Sequence, residues 1–280
     1  MIVMKFGGTS VGTAGQIHKA ANIISARLDR NPLVVISALG GVTNQLVAGI
    51  DAATTQQPVN IEPLKARHVG VLKELELPAD LLDKKFEELD ALLRGVSLLR
   101  ECSDRTRDRI LSFGEHVSAT VVGYYLGRYL QRTVLPICSY DLGLKTDSQF
   151  GQARPDKTCF EIIKKTVAQH PNTLLVTTGY IAKDSCGNIT TLGRNGSDYS
   201  ASLIGAAIDA EEIQIWTDVS GIMTSDPRMI PEARPVRDMS FEEASELAYY
   251  GAKVIHPSTL IPAMEKNIPV QILNTNEPDA

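Results

Sequence analysis

Four glycine-bearing segments of this sequence carry residue types that could bind a phosphate or a carboxylate. They are Lys-Phe-Gly-Gly-Thr-Ser at 5–10, Ser-Ala-Leu-Gly-Gly-Val-Thr at 37–43, Thr-Gly-Tyr at 178–180, and Thr-Leu-Gly-Arg-Asn-Gly-Ser-Asp at 191–198. Glycine lacks a Cβ, so its amide can approach an anion closely, and a following helix offers unpaired N–H groups and a partial positive charge. One such turn usually indicates only a tight turn. Four of them, two with a cation beside the glycines, favour an anion-binding site.

Alternating apolar runs and amphipathic stretches must position these segments. The runs at 33–36 and elsewhere are continuous, as in strands that are buried on both faces. The alternation predicts an α/β fold with a mostly parallel sheet, whose ligands bind at the carboxyl ends of the strands. Strands are predicted at 1–6, 33–36, 133–138, 173–178, 212–217 and 269–273, and helices around 17–28 and 46–50, from Phe113 onward, and at 156–169, 198–208, 240–250 and 257–266.

Residues 56–112 differ from the rest, because they are charged and rich in Leu, Glu and Lys with little strand signal. They predict a helical insertion with solvated faces. The net charge of -5 gives the chain no overall attraction to nucleic acid or to acidic membranes. No apolar stretch approaches the ~18 residues of a membrane span, the N-terminus does not resemble a signal peptide, and the four cysteines show no paired or metal-ligand spacing. We therefore expect a cytoplasmic protein with no nucleic-acid or membrane partner.

The common nucleotide-binding signatures are absent. There is no G-x-x-x-x-G-K-[ST] loop, no G-x-G-x-x-G after the first strand, and no H-R-D or D-F-G set. If the chain binds ATP, it must do so through another architecture.

Several longer segments stand in order along the chain, at 5–11, 113–115, 150–153, 191–198, 216–222 with 226–228, and 251–257. Together they resemble the aspartokinases of the amino-acid kinase superfamily. They follow the family's order from residue 2 to about residue 275, with Asn195 where many members have glycine. The resemblance implies a three-layer αβα sandwich in which Mg²⁺-ATP phosphorylates the side-chain carboxylate of L-aspartate to 4-phospho-L-aspartate, the first step toward lysine, threonine and methionine.

The same resemblance implies one catalytic domain over 1–280. An amino-acid-binding lobe would cover about 1–195, with the insertion at 56–112, and a nucleotide-binding lobe about 196–280. Aspartokinases usually continue into paired ACT regulatory domains, which these 280 residues do not include. A natural short form, an excised catalytic domain and one module of a longer protein are all open.

Three residues are expected to carry the transfer itself. An aspartate side chain titrates near ~3.9, so it is already ionised at neutral pH and needs no general base. Catalysis then depends on positioning and on cations that stabilise charge on the phosphoryl group. The resemblance implies that Lys5 and Lys253 contact the phosphates from two sides and that Asp198 orients them. From the residues alone, Lys5 ends a buried strand and needs a partner, while Asp198 could equally cap a helix.

The resemblance also assigns the amino-acid pocket. Arg194 would bind the α-carboxylate through its planar fork, and Glu115 would bind the α-ammonium. Thr43 and Ser197 would supply hydroxyl or amide donors. Glu115 could instead be an acid that is favourable near a helix N-terminus.

A further set is implied for the nucleotide. Asp218 could accept a hydrogen bond from ribose and Arg228 could meet phosphate, although 226–227 also reads as a turn. Trp216 is predicted as a core aromatic. No carboxylate cluster marks a metal cage, so the phosphates and water are expected to hold Mg²⁺. The nucleotide set comprises Lys5, Phe6, Gly7, Gly8, Ser37, Thr217, Asp218, Met223, Arg228 and Lys253.

Two alternatives remain open at this point. A sister kinase acting on another small carboxylate or on a nucleoside monophosphate would share the fold and the glycine segments. A non-catalytic sensor could bind an amino acid or nucleotide, although it need not retain Lys5, Asp198, Arg194 and Lys253. The sequence leaves a homodimer open.

Overall fold

A six-stranded parallel sheet forms the centre of the molecule. The computed structural model of the chain describes residues 1–219, 221–223, 230, 234–236, 238–249 and 259–278. Its strands are β1 (Ile2–Phe6), β2 (Pro32–Ile36), β3 (Val134–Ile137), β4 (Leu174–Thr178), β5 (Ile181–Lys183), β6 (Ile189–Thr191), β7 (Glu212–Thr217), β8 (Ile222–Met223), β9 (Pro235–Val236) and β10 (Val270–Asn274). The large sheet has the order β10-β7-β1-β2-β4-β3, and every pair in it is parallel.

Helices cover both faces of this sheet. They are α1 (Ala14–Ser25), α2 (Val42–Thr54), α3 (Glu62–Glu74), α4 (Asp83–Leu99), α5 (Asp104–Leu111), α6 (Phe113–Leu130), α7 (Ser139–Leu142), α8 (Cys159–Ala168), α9 (Gly196–Ala207), α10 (Phe241–Tyr249) and α11 (Ile261–Glu265). Short 3-10 helices lie at Gly8–Ser10 and Leu28–Arg30. Among the described helices, none is long and apolar enough to cross a bilayer.

The alternation of side chains along β1 builds two separate cores. Ile2, Met4 and Phe6 point into the core that contains the inner faces of α1, α2 and α6. Val3 points to the opposite face, into the core that contains α8, α9 and α11. Every residue of β1 is buried, as expected for a central strand of a parallel sheet that is covered on both faces. The predicted three-layer α/β architecture is confirmed.

The predicted insertion at 56–112 holds α3, α4 and α5, so its helical character is confirmed. Its inner faces are less solvated than predicted, because Leu72, Phe86 and Leu93 belong to the first core. The charged run that contains α5 also hides Asp108, which is fully buried. The sequence prediction missed the two short hairpins, β5–β6 and β8–β9, and the single turn α7.

Candidate active site

A cavity of about 670 Å³ opens at the carboxyl edge of the sheet. All four glycine-bearing segments contribute to its wall, together with α5 and the first turn of α6. The sequence-predicted residues that line it are Lys5, Gly8, Ser37, Thr43, Glu115, Arg194, Ser197 and Asp198. Residues distant in the chain therefore converge on one volume.

Lys5 and Asp198 form a buried ion pair in this cavity. Lys5 lies on the same face of β1 as Val3, and that face packs against α9, whose first turn contains Asp198. Lys5 Nζ lies 2.6 Å from Asp198 Oδ1, and each side chain is 10% exposed. The approach is a charge contact only, since Oδ1 has no donor at hydrogen-bonding angles among the described residues. The expectation that Lys5 needs a partner is confirmed.

The first two glycine segments are held together as one unit. Gly40 N donates to Gly8 O at 2.9 Å, and Gly7 N donates to Trp216 O at 2.9 Å. A Cβ on Gly8 would lie 2.7 Å from the Ala38 carbonyl oxygen, so glycine is required for this close approach. The backbone beside Lys5 is thus fixed relative to both neighbouring strands.

Arg67 joins the second glycine segment to Gly12, just after the first segment. Its Nη1 donates to Gly40 O at 2.8 Å and its Nη2 donates to Gly12 O at 3.1 Å. Arg67 lies in α3, within the insertion, and the sequence prediction did not include it. Its fork supports the shape of the glycine segments without lining the cavity.

Two helices begin at the cavity without a side-chain cap among the described residues. α2 follows Gly41, at φ 84°, and α9 follows Asn195, at φ 57°. Val42 N, Gly196 N and Asp198 N donate to nearby backbone carbonyl oxygens. The first-turn N–H groups that are left unpaired can bind an anion. The helix after the first glycine segment behaves differently, because Thr13 accepts from Gln16 N at 3.3 Å and caps α1. Around Gly8, only the backbone N–H groups of the 3-10 turn can therefore bind an anion.

Glu115 is a buried carboxylate with spare hydrogen-bonding capacity. Its Oε1 accepts from Ala38 N at 3.2 Å, while its Oε2 has no partner among the described residues. The side chain is 3% exposed, and burial raises its pKa to about 8. A cation delivered into the cavity would provide the missing partner and lower this pKa.

The rim of the cavity carries the cations. Arg194 is exposed and makes no ion pair within the described part of the chain. Arg107 of α5 also lines the cavity and was not predicted. Thr43 and Ser197 occupy the first turns of α2 and α9. One exposed and one half-buried guanidinium group around a buried carboxyl group are suited to a zwitterionic ligand with an additional negative charge.

Asp108 positions two wall segments. Its carboxylate accepts from Gly151 N at 2.9 Å, from Thr191 N at 2.8 Å and from Thr191 Oγ1 at 2.9 Å. These bonds join α5 to the segment that carries Arg194. Burial, the largest influence, raises the pKa of Asp108, while the three bonds oppose that rise. The sequence prediction placed Asp108 on a solvated helix and so missed it.

Only some of the residues that are predicted to bind the nucleotide line the cavity. Phe6 is fully buried and stacks on Trp216 at 6.0 Å, so its side chain belongs to the core and only its backbone is available to a ligand. Trp216 is fully buried, which confirms it as a core aromatic. Thr217 is the last residue of β7 and Asp218 follows it. Thr217 Oγ1 donates to Asp218 Oδ1 at 3.2 Å, and neither residue lines the cavity.

Three further residues are predicted to contact the nucleotide: Met223, Arg228 and Lys253. Met223 is in β8. Arg228 and Lys253 lie outside the described residues, so their roles stay predictions. Among the residues that the structure describes, no group of three or more His, Cys, Asp or Glu side chains could hold a metal ion.

Comparison with known proteins gives consistent relatives along the whole chain. It is 37% identical to aspartokinase 2, chloroplastic, of Arabidopsis thaliana, over 99% of this chain and 53% of the relative. It is 34% identical to lysine-sensitive aspartokinase 3 of Escherichia coli, over 100% of this chain and 63% of the relative. The chain thus spans about half to two thirds of the length of these relatives.

Solved structures give the same result. The structure of E. coli aspartokinase III in complex with aspartate and ADP matches with a TM-score of 0.88 at 31% identity, over 100% of this chain and 63% of that one. A UMP kinase from Bacillus anthracis, at 15% identity and a TM-score of 0.54, shares the fold alone. The model of the amino acid kinase family matches residues 1–274. This chain therefore belongs to the amino acid kinase family.

Proposed function

We propose that the chain transfers the γ-phosphoryl group of ATP to the side-chain carboxylate of L-aspartate, giving 4-phospho-L-aspartate. The observation that carries this proposal is the convergence of four ionisable side chains on one cavity: the buried pair of Lys5 with Asp198, the half-satisfied carboxyl group of Glu115, and the exposed guanidinium of Arg194. The relatives support it, since the matched E. coli structure is a complex with aspartate and ADP.

The cavity can hold the amino acid by its two α-groups. The free oxygen of Glu115 would accept from the α-ammonium, and the fork of Arg194 would bind the α-carboxylate. Thr43 and Ser197 would donate from the helix N-termini on either side. The side-chain carboxylate of the substrate would then point toward Lys5.

The transfer step requires no proton movement. A carboxylate oxygen attacks the γ-phosphorus, a new O–P bond forms, and the bond from the γ-phosphorus to the β–γ bridging oxygen breaks, which leaves ADP. The ammonium of Lys5 would stabilise negative charge on the phosphoryl oxygens, while Asp198 holds that ammonium in place. The amides near Gly8 and at the start of α9 would add fixed dipoles.

The proposed contacts to the nucleotide depend on residues that were predicted from the sequence. Lys253 and Arg228 would bind the phosphates from the opposite side, and Thr217, Asp218 and Met223 would surround the nucleoside. Mg²⁺ would accompany ATP. Because the described residues offer no carboxylate cage, ATP oxygens and water are the donor set that fits it. The lobe boundary near residue 195, the cytoplasmic location and a homodimer remain predictions.

Trapping the acyl phosphate with hydroxylamine tests the proposal. We expect ATP-dependent hydroxamate from L-aspartate and none from L-glutamate. Activity on glutamate alone would assign the chain to a sister kinase. Lys5→Ala should abolish product while its circular dichroism spectrum stays unchanged, because the substitution removes the central cation from a cavity whose walls are otherwise intact. A near-normal rate in that variant would refute the role of Lys5.

A further inference from the structure

A second cavity, of about 550 Å³, lies behind the wall of the candidate active site. Five elements form it: α4, α5, the first turn of α6, α7 and the β5–β6 hairpin. α5 separates the two cavities, since Arg107 and Asp108 face the candidate active site while Arg105 and Arg109 face the second cavity.

The second cavity is strongly basic. Its wall carries four cationic side chains, Lys85, Arg105, Arg109 and Lys183, and a single carboxylate, Glu88. The excess of three positive charges stands out on a chain whose net charge is -5. Like charges brought together in this way repel one another unless an anion joins them.

Glu88 pairs with only two of the four cationic side chains. Arg109 Nη2 lies 2.9 Å from Glu88 Oε1, and Lys85 Nζ lies 3.7 Å from Glu88 Oε2. Within the described residues, Arg105 has no ion pair. Lys183 has none either, and its Nζ lies instead 3.8 Å from the centre of the Tyr140 ring. Two cations are therefore left for a ligand.

A polar pair forms the floor of the cavity. His116 is 8% exposed, and its Nε2 lies 2.9 Å from Tyr140 Oη. Burial, followed by the charges of Lys85 and Lys183, lowers the pKa of His116 to about 4, with Glu88 opposing the shift. This imidazole is neutral at pH 7 and lies in a positive field, where it can form a hydrogen bond with an anion, and a bound anion would raise its pKa.

We propose that this basic cavity is a second binding site, for a small molecule that bears a phosphate dianion. A dianion with three acceptor oxygens matches several converging donors better than a single carboxylate does. The volume leaves room for an organic body beyond the phosphate, against Leu92 and Ile189 of the same wall. Inorganic phosphate and a phosphate monoester share this chemistry.

Histidine-labelled protein and NMR titration at constant ionic strength test the site. We expect inorganic phosphate to shift the His116 ring signals saturably, glycerol 3-phosphate to bind at least as tightly, and chloride to have no effect. The pKa of His116 should rise by at least one unit in the complex. The Arg105→Gln/Lys183→Gln variant should bind at least tenfold more weakly, and its exposed or half-exposed positions leave the fold intact.

Lys5→Ala is the matched control, because it removes a cation from the other cavity. It should leave the His116 titration unchanged. Three results would each overturn the proposal: an unmoved His116 signal, equal affinity in the double variant, or loss of the response in Lys5→Ala. Binding of inorganic phosphate but not of glycerol 3-phosphate would also contradict it, since the cavity is argued to accommodate an organic body.

Discussion

Proton release on aspartate binding should reveal the role of Glu115. With a pKa of about 8 in the free chain, the buried carboxyl group is mostly protonated at pH 7. An α-ammonium placed on its free oxygen would favour the charged form, so binding should expel roughly 0.9 proton per site at pH 7. The apparent affinity for aspartate should therefore rise about fifty-fold between pH 6 and pH 8 and then level off.

Isothermal titration with L-aspartate in HEPES and in Tris measures the released proton from the difference in heats. Glu115→Gln should abolish both the release and the pH dependence, and should bind aspartate more weakly at pH 8. His116→Gln is the neighbouring control, because His116 faces the second cavity, and it should behave like the parent chain. A flat pH profile with no proton release in the parent chain would refute the assignment of Glu115.

The pH dependence of the free energy of unfolding is an independent test of the raised pKa of Glu115. Between the ordinary glutamate value and the raised native pKa, the folded state holds a proton that the unfolded chain does not, so the free energy of unfolding falls as pH rises. The loss begins near pH ~4.5, is complete above pH ~8, and amounts to about 3–5 kcal/mol. Urea unfolding should show Glu115→Gln close to the parent at pH 4.5 and clearly more stable at pH 9. Equal stability at pH 9 would contradict the raised pKa.

Three further substitutions test the surrounding structure. Arg67→Ala should lower kcat about tenfold and raise KM for ATP, because two carbonyl bonds of about 1 kcal/mol each are lost, while Arg94→Ala, exposed on α4, should do neither. Arg194→Ala should raise KM for aspartate ~10- to 100-fold at constant KM for ATP, and an unchanged aspartate dependence would make that arginine structural. Asn195→Gly should keep the parent stability in urea while Asn195→Ala loses about 1 kcal/mol, since φ is 57° there, and equal stability of the two variants would refute the backbone argument.

The sheet could be predicted well from the sequence because each of its strands is marked by a pattern of consecutive residues. A run such as Leu33 to Ile36 is apolar and buried at every position, as expected of a strand that is covered on both faces. The hairpin of β5 and β6 was missed because each strand has three residues, too few for any alternation to appear. The glycine segments could be found because close backbone approach requires glycine, and glycine can be read directly in the sequence.

The positioning residues could not be found in the same way. Arg67 and Asp108 lie in helices where charge is ordinary, and nothing in their spacing distinguishes them from solvated neighbours. Their roles depend on tertiary contacts with Gly12, Gly40 and Thr191, which are far away in the chain. Asn195 is intermediate: the family resemblance places it where many aspartokinases have glycine, and its left-handed backbone explains why asparagine is accepted there.

One turn of α6 lines both cavities, because the consecutive residues Glu115 and His116 line the candidate active site and the second cavity, respectively. Each residue added to a helix rotates everything beyond it by about 100°. A single insertion or deletion just after Ser112 would swing the carboxyl group out of one chamber and the imidazole out of the other. Among related chains, length changes in this region should therefore fall before Ser103 or after Gln131, and the stretch between them should keep a constant residue count.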